Sequence, residues 1–550
     1  MKVMLVYPND RMDGLIPVST SVLSSHLKAA GHDVHLYDTT FIDTGKQTGD
    51  SYRESLGQVK KVGVGAYSSE RIKMTPEELI EDFRKSIGTY SPNLIGFSTL
   101  EITYDQGLAL ANGIRDLGIP TIFGGAYPTF APQMVLREPA IDMICEGDGE
   151  LMLPELATAL ERGEDIRGIH NLTVKANGVV YQSGVKIKLE DLATGDDIYG
   201  GKTGVRRRQT HMGHELLTPD YTIYDDRRFF KKMGGKVWRT AAFELSRGCP
   251  FQCTFCCTPM QRRQHDAALE KRVNLLGLDI SAEKRLDPYH REKPISKAID
   301  EMKRARDNFG VNFIYFTDES FLSMSLARFE EFIESYGEIK LPFFIESRVE
   351  TVKPGYARAL ESVGCEGVAM GVESGSPRIR KELLKRFMSD ITIVKGFKEF
   401  EETGIRISAN NIIGFPGETR EDIMDTIEIN RRINPDSMVV NAFRPYSGTE
   451  LRKVCIDMGL VPREQRAEDN RTYDVFDNGV LSSRELEGLR RAFPLYVLMN
   501  KSRWGEVRAA ETDDALYAVL KGEVAEKMLN RTKRGLGTGA SVGDEGAKRQ

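Results

Sequence analysis

The chain has 550 residues, 40% of them hydrophobic and 29% charged, which is too long for one core and fits a globular protein of about two to four domains. Its 76 Lys and Arg nearly balance 81 Asp and Glu, so no global field recruits nucleic acid or anionic lipid, and no apolar run reaches the roughly eighteen residues of a membrane span. Seven cysteines in a long chain whose Met1-Lys2 leads straight into a strand argue against a disulfide scaffold, and a reducing cytoplasmic location is expected.

Lys2-Val-Met-Leu-Val-Tyr7 has the pattern of a short buried strand; a helical stretch follows from Ser19 to Gly31, and His32 to Tyr37 forms a second strand. His26 falls inside that helical stretch and reads as an ordinary polar-face residue. The pattern resumes with a strand at Asn93 to Phe97, a helix near Tyr104 to Leu117, strands at Pro120 to Phe123 and Ile141 to Cys145, and a helix from about Glu150 to Glu161. This alternation predicts an α/β domain with an open parallel sheet over residues 1–188, whose ligands sit at the carboxyl ends of the strands. Ser98-Thr99-Leu100 and Gly124-Gly125 stand at two of those ends, although a Gly-Gly pair is by itself only a tight turn. Residues 189–239 lose periodicity, are rich in Gly, Asp and Arg, and read as a linker laid over both domains, with Arg206-Arg207-Arg208 a solvated part of it.

The run Thr240 to Leu245 leads into Ser246-Arg-Gly-Cys-Pro-Phe-Gln-Cys-Thr-Phe-Cys-Cys257, which sets Cys249, Cys253 and Cys256 in a C-x3-C-x2-C spacing. Such density in a reducing compartment means metal ligation. Structural zinc wants four ligands, usually as two C-x2-C pairs, and no second pair is present; a cubane iron-sulfur cluster held by three thiolates keeps one iron open. A zinc knuckle or chance cluster is the bland alternative. Further strands are expected at Asn312 to Thr317, Pro342 to Ser347, Gly367 to Glu373, Arg406 to Ile413 and Ser437 to Phe443, each ending in polar or Gly-rich sequence, within a domain spanning 240–450. Residues 451–534 read as helical, with Ser482-Ser-Arg-Glu485 a capping box and Asn470 to Asn478, with Tyr473 and Asp474, a candidate lid. The tail 535–550 reads as disordered.

The three cysteines, with Phe255 before the third, resemble the signature of the radical S-adenosylmethionine (SAM) enzymes. That resemblance implies an open (β/α)6 barrel and a [4Fe-4S] cluster on Cys249, Cys253 and Cys256. SAM would chelate the open iron, and its reductive cleavage would give a 5′-deoxyadenosyl radical. It further implies Phe255 near the adenine, Asp318 and Glu319 where the methionine amine binds, Arg348 on the SAM carboxylate, Glu373 on the ribose, and the apolar part of Asn410 to Glu418 beside the adenine. The usual Gly-Gly is missing at Asp318-Glu319, which favours the position over either carboxylate. Cys257 is expected to point away from the cluster.

Ser98-Thr99-Leu100, Gly124-Gly125 and Cys145-Glu-Gly-Asp-Gly-Glu150, in that order, resemble the Rossmann-like N-terminal domain of cobalamin-dependent radical SAM enzymes. Ser98, Thr99, Leu100, Gly124 and Gly125 then contact cobalamin, the glycines letting its nucleotide tail approach the backbone. The loop Tyr7 to Gly14 lacks the histidine of the third signature element, Asp-x-His-x-x-Gly, which implies cobalt with no protein imidazole on its lower face. The resemblance covers roughly residues 1–450 and implies a methyltransferase acting on an unactivated carbon, or a phosphinate phosphorus, of a small-molecule substrate. One SAM would be cleaved and a second would remethylate cobalamin, with an electron donor such as flavodoxin or ferredoxin as partner. A cobalamin-containing cyclase or ring-rearranging enzyme is the first alternative. A transfer-RNA methylthiotransferase is disfavoured because the N-terminal half has only Cys145 and cannot hold a second cluster. A non-catalytic cobalamin carrier or sensor would have no use for the three cysteines.

Overall fold

The computed structural model describes residues 1–10, 14–46, 71–176, 179–192, 208–276, 279–281, 288–467 and 477–531. Most of the candidate lid at 470–478, Arg206 and Arg207, the tail 535–550 and part of the loop 7–14 lie outside them.

The N-terminal sheet has eight strands. In spatial order they are Val185–Ile187, Val179–Gln182, Leu172–Ala176, Met143–Cys145, Thr121–Gly124, Leu94–Ser98, Lys2–Tyr7 and Asp33–Asp38. The last five pair in parallel, and Val3, Met4, Leu5 and Val6 are all buried, which is why this strand reads as an unbroken apolar run rather than an alternation. The first three are antiparallel and extend the expected parallel sheet into a mixed one. They were hidden by their shortness and polarity, yet one turn signal is present: Ser183 and Gly184 both have positive φ (46° and 86°) in a two-residue hairpin loop that pairs Gln182 with Val185.

The second sheet runs Phe230–Met233, Lys236–Phe243, Phe313–Phe316, Phe343–Arg348, Cys365–Glu373, Arg406–Ile413 and Ser437–Ala442. The last six are parallel, each neighbouring the next in chain order, as the (β/α)6 reading requires. The first is an antiparallel edge joined by the Gly234-Gly235 turn, so residues 230–239 belong to the barrel sheet and not to a linker. Phe316, Phe332, Tyr336 and Phe343 meet edge to face or tilted in its core. Among the described residues, the segment 220–224 touches elements of both parts of the chain. Ser24 donates to Asp220 at 2.6 Å and Thr20 bonds Tyr224 at 2.6 Å on one side, while Tyr221 packs edge-on to Phe309 at 5.5 Å on the other. The C-terminal helices Ser483–Leu498, Trp504–Ala510 and Asp514–Arg531 bury Leu486, Leu489 and Phe493 against Met438, Val440 and Ala442 of the last strand.

Candidate active site

The cysteine loop follows the first parallel barrel strand and is fixed at both ends. Thr254 donates from its hydroxyl to Leu383 O at 2.5 Å, its carbonyl accepts from Leu451 N at 3.1 Å, and Phe255 packs 6.4 Å from Phe415 in the cluster of Ile379, Leu384 and Phe443. All seven cysteines are free thiols. Among the described residues no three His, Cys, Asp or Glu side chains converge as ligands of a single ion would; a cubane cluster takes one thiolate per iron, which three separated sulfurs on a loop allow. Burial pushes the Cys249 thiol up to about 11. Cys257 influences its neighbour electrostatically: interaction between the two thiols lowers the Cys256 pKa and raises that of Cys257.

The ends of the other strands gather around this loop. Asp318 accepts from Leu245 N (3.1 Å) and the Ser246 hydroxyl (2.7 Å), and burial pushes its carboxyl up to about 7. Glu319 accepts from Gly248 N at 3.2 Å. Both carboxylates therefore fix the backbone that enters the cysteine loop. Arg348 donates through Nη1 to Cys253 Sγ at 2.6 Å and through Nε and Nη2 to Glu350, with its guanidinium 3.9 Å from the Phe251 ring centroid. Glu373 sits in the left-handed region (φ 62°) and faces Arg386 Nη1 at 3.7 Å. Its carboxylate lies over Gly371, where a Cβ would come within 2.2 Å of Oε1, so a side chain there would push the Glu373 carboxylate out of this position.

Arg386 is the residue that sequence reasoning missed. It is buried, donates to Gly371 O at 2.6 Å, and brings Nη1 to 3.9 Å from Cys253 Sγ. Its Nε and the neighbouring Glu350 Oε2 are buried with no hydrogen-bond partner. No periodicity marks Arg386, because a π-helical turn at Ile379–Leu383 and a positive φ at Lys385 (54°) aim it.

In the N-terminal domain, Thr99 N–H donates to Gly124 O at 2.8 Å, which joins the two loops at the carboxyl edge. Gly125 has φ 104°, and a Cβ there would fall 2.4 Å from Thr99 O; the glycine is demanded by its protein neighbour before any ligand is considered. At Gly124 a Cβ would meet only Cys145 Cβ, at an ordinary 3.5 Å. Ser98 ends its strand half-buried, and Leu100 is 49% exposed, an apolar surface beside these loops. His26 is not a polar-face residue: it is buried, its Nε2 accepts from Leu217 N at 3.0 Å, and burial lowers its pKa to about 4.

The carboxyl ends of the two sheets meet. Arg247, two residues before Cys249, donates to Glu150 at 2.6 Å and to Glu244 at 2.9 Å, while Arg291 pairs with Asp148. The stretch Cys145 to Glu150 is thus an ionic clamp onto the cysteine loop. On the other flank Glu101 accepts from Ser447 N at 2.9 Å and from Ala467 N at 2.7 Å.

Residues 243–429 match the radical SAM superfamily and residues 14–157 the B12 binding domain. An uncharacterized methyltransferase of Pyrococcus horikoshii is 27% identical over 387 residues, 69% of this chain and 73% of that protein. An anaerobic magnesium-protoporphyrin IX monomethyl ester cyclase of Rubrivivax gelatinosus is 22% identical over 527 residues, 91% of this chain and 78% of its own length. The solved structure of the radical S-adenosylmethionine methyltransferase TsrM from Kitasatospora setae, with cobalamin and a [4Fe-4S] cluster bound, has the same fold, at TM-score 0.60 and 15% identity over 95% of this chain and 99% of that one. A B12-binding sheet followed by an open six-stranded barrel with three thiols at its mouth, matched in both parts, places the chain among the cobalamin-dependent radical SAM enzymes.

Proposed function

We propose that the protein is a methyltransferase that moves a methyl group from SAM to an unactivated carbon, or a phosphinate phosphorus, of a small metabolite. The observation that carries this reading is the junction of the two sheets: Arg247 beside the cysteine loop and Glu150 of the B12-binding domain, 2.6 Å apart, bring the two cofactor-bearing edges together.

When bound, the cluster and cobalamin supply the electron that cleaves SAM and the carrier for its methyl group. Cys249, Cys253 and Cys256 hold the cluster, and the Arg348 bond to Cys253 Sγ withdraws charge from that sulfur, which raises the cluster's reduction potential. Arg386 Nε, buried with no hydrogen-bond partner, takes the carboxylate of the methionine part in place of Arg348, which is engaged by Cys253 and Glu350. Glu350 Oε2, held only by a 3.9 Å ion pair to Arg386 Nη2, takes the ammonium in place of Asp318 and Glu319, which are engaged by Ser246 and Gly248. Glu373 takes the ribose, and Phe255 with Phe415 flanks the adenine. Ser98, Thr99, Leu100, Gly124 and Gly125 would line the cobalamin face, and His26, whose Nε2 accepts from Leu217 N, would not serve as a ligand to it. An electron donor such as flavodoxin or ferredoxin is the protein partner.

The cyclase relative aligned along 91% of the chain favours ring formation as a second reading. Reconstituted, reduced enzyme given SAM and a panel of small acceptors separates the two. Methyl transfer yields S-adenosylhomocysteine together with 5′-deoxyadenosine; ring formation yields 5′-deoxyadenosine alone.

A further inference from the structure

Glu101 directly follows Ser98-Thr99-Leu100, and its side chain leaves the domain that carries it. One carboxylate oxygen accepts from Ser447 N at 2.9 Å, in the turn after the sixth parallel barrel strand, and the other accepts from Ala467 N at 2.7 Å. The same two segments are held from the opposite side by Arg452. That buried guanidinium donates to Pro445 O at 2.9 Å, Arg463 O at 3.0 Å and Gln465 O at 2.6 Å. A carboxylate thus collects the N–H groups and a guanidinium the carbonyls of the turn 444–449 and the strap 463–467. Arg466 adds an ion pair to Asp105 and stands 5.2 Å from the Tyr104 ring centroid, so the strap lies on the element that Glu101 opens.

The connection back to the loop is stiff. Leu100 N donates to Thr103 Oγ at 3.0 Å and Thr103 Oγ donates to Leu100 O at 3.3 Å, which clasps the turn Glu101–Thr103 onto Leu100. Thr99 is in turn pinned by Gly124 O and by the close approach of Gly125. A displacement of Leu100 must therefore carry the Glu101 carboxylate with it.

We propose that Glu101 is a positioning residue that transmits occupancy of the cobalamin loop to the barrel, holding the turn 444–449 and the strap 463–467 more tightly when the corrin is in place. This rests on the reading of Ser98 to Leu100 as cobalamin contacts. Burial holds the Glu101 carboxyl above its ordinary range, against the two N–H bonds and Arg452, as suits a group whose partners are wholly internal. Gln at this position keeps the volume but turns an NH2 toward one of the two backbone N–H groups.

The test is amide hydrogen exchange of the full chain, without and with hydroxocobalamin, for wild type, Glu101→Ala and Glu101→Gln. In wild type, cobalamin should slow exchange of Ser447 and Ala467 about tenfold, an ordinary coupling. Glu101→Ala should retain cobalamin yet lose that slowing, and Glu101→Gln should keep it at one of the two amides. Equal slowing in Glu101→Ala overturns the proposal. Should the Ala variant not fold, Glu101→Gln decides alone: slowing at both amides counts against the proposal. Cobalamin bound to wild type with no change over 444–467 overturns the coupling alone. Wild type that retains no cobalamin, by its visible spectrum, overturns the cobalamin reading and the coupling with it.

Discussion

Cys253 stands between two guanidiniums and two cysteines, and the residue scale is where the reaction's demands are sharpest. Replacing Cys249, Cys253 or Cys256 by Ala should abolish the iron and sulfide content of reconstituted protein, whereas Cys257→Ala should keep it even though Cys257 shifts the pKa of its neighbour Cys256; equal iron loss in Cys257→Ala would refute the ligand assignment. Arg386→Met should weaken SAM binding about 10- to 100-fold, the worth of a charged hydrogen bond, with iron content unchanged, read by titration calorimetry of cluster-loaded protein. Gly125→Ala should cost about 1–3 kcal/mol of stability in protein free of cobalamin, because the strain is against Thr99 and not against a ligand, while Gly124→Ala should cost less. Matching thermal unfolding curves for the two variants would contradict this. The cysteine spacing was legible because it is covalent. Arg386 and His26 were not, since a π-turn aims the first and linker packing buries the second.

At the scale of elements, the turn Gly414 to Glu418 after the fifth parallel strand is closed from within. Glu418 accepts from Gly414 N at 2.6 Å and Phe415 N at 3.2 Å, and Asn478 donates to Phe415 O at 3.0 Å and Glu418 O at 2.9 Å. Burial pushes the Glu418 carboxyl from 4.5 up to about 8. Between those values the folded chain keeps a proton that the unfolded chain releases, so this group's stabilisation is complete below pH 4.5 and is lost as pH rises to about 8. Glu418→Gln should flatten the fall of the denaturation midpoint across that window, by up to about 1.4 kcal/mol per pH unit, and an unchanged slope would show the carboxylate to be charged in the fold. The six parallel strands were readable because they are short β-branched and aromatic stretches bounded by turn signals, even where, as in Arg406–Ile413 and Ser437–Ala442, buried positions alternate with less buried ones. The hairpins at Leu172–Ile187 and Phe230–Phe243 were not, being polar at their edges, though Ser183-Gly184 and Gly234-Gly235 marked their turns.

The whole molecule works through contacts that no local pattern reveals. Arg247 with Glu150, and Glu101 with Ser447, join residues far apart in sequence, and the stretch Cys145 to Glu150, which with the two preceding loops resembles the N-terminal domain of the family, also clamps onto the cysteine loop. The order of domains and their cofactors were legible from motifs; how the two edges meet was not. The reading of the protein as a methyltransferase stands or falls with what the joined domains do to SAM. The most direct test is to give the cluster- and cobalamin-loaded, reduced protein SAM labelled in its methyl group, without any acceptor. The account predicts S-adenosylhomocysteine formed to about one equivalent per bound cobalamin, with the label in the extracted cobalamin, alongside 5′-deoxyadenosine. Formation of 5′-deoxyadenosine with neither S-adenosylhomocysteine nor labelled cobalamin would contradict it.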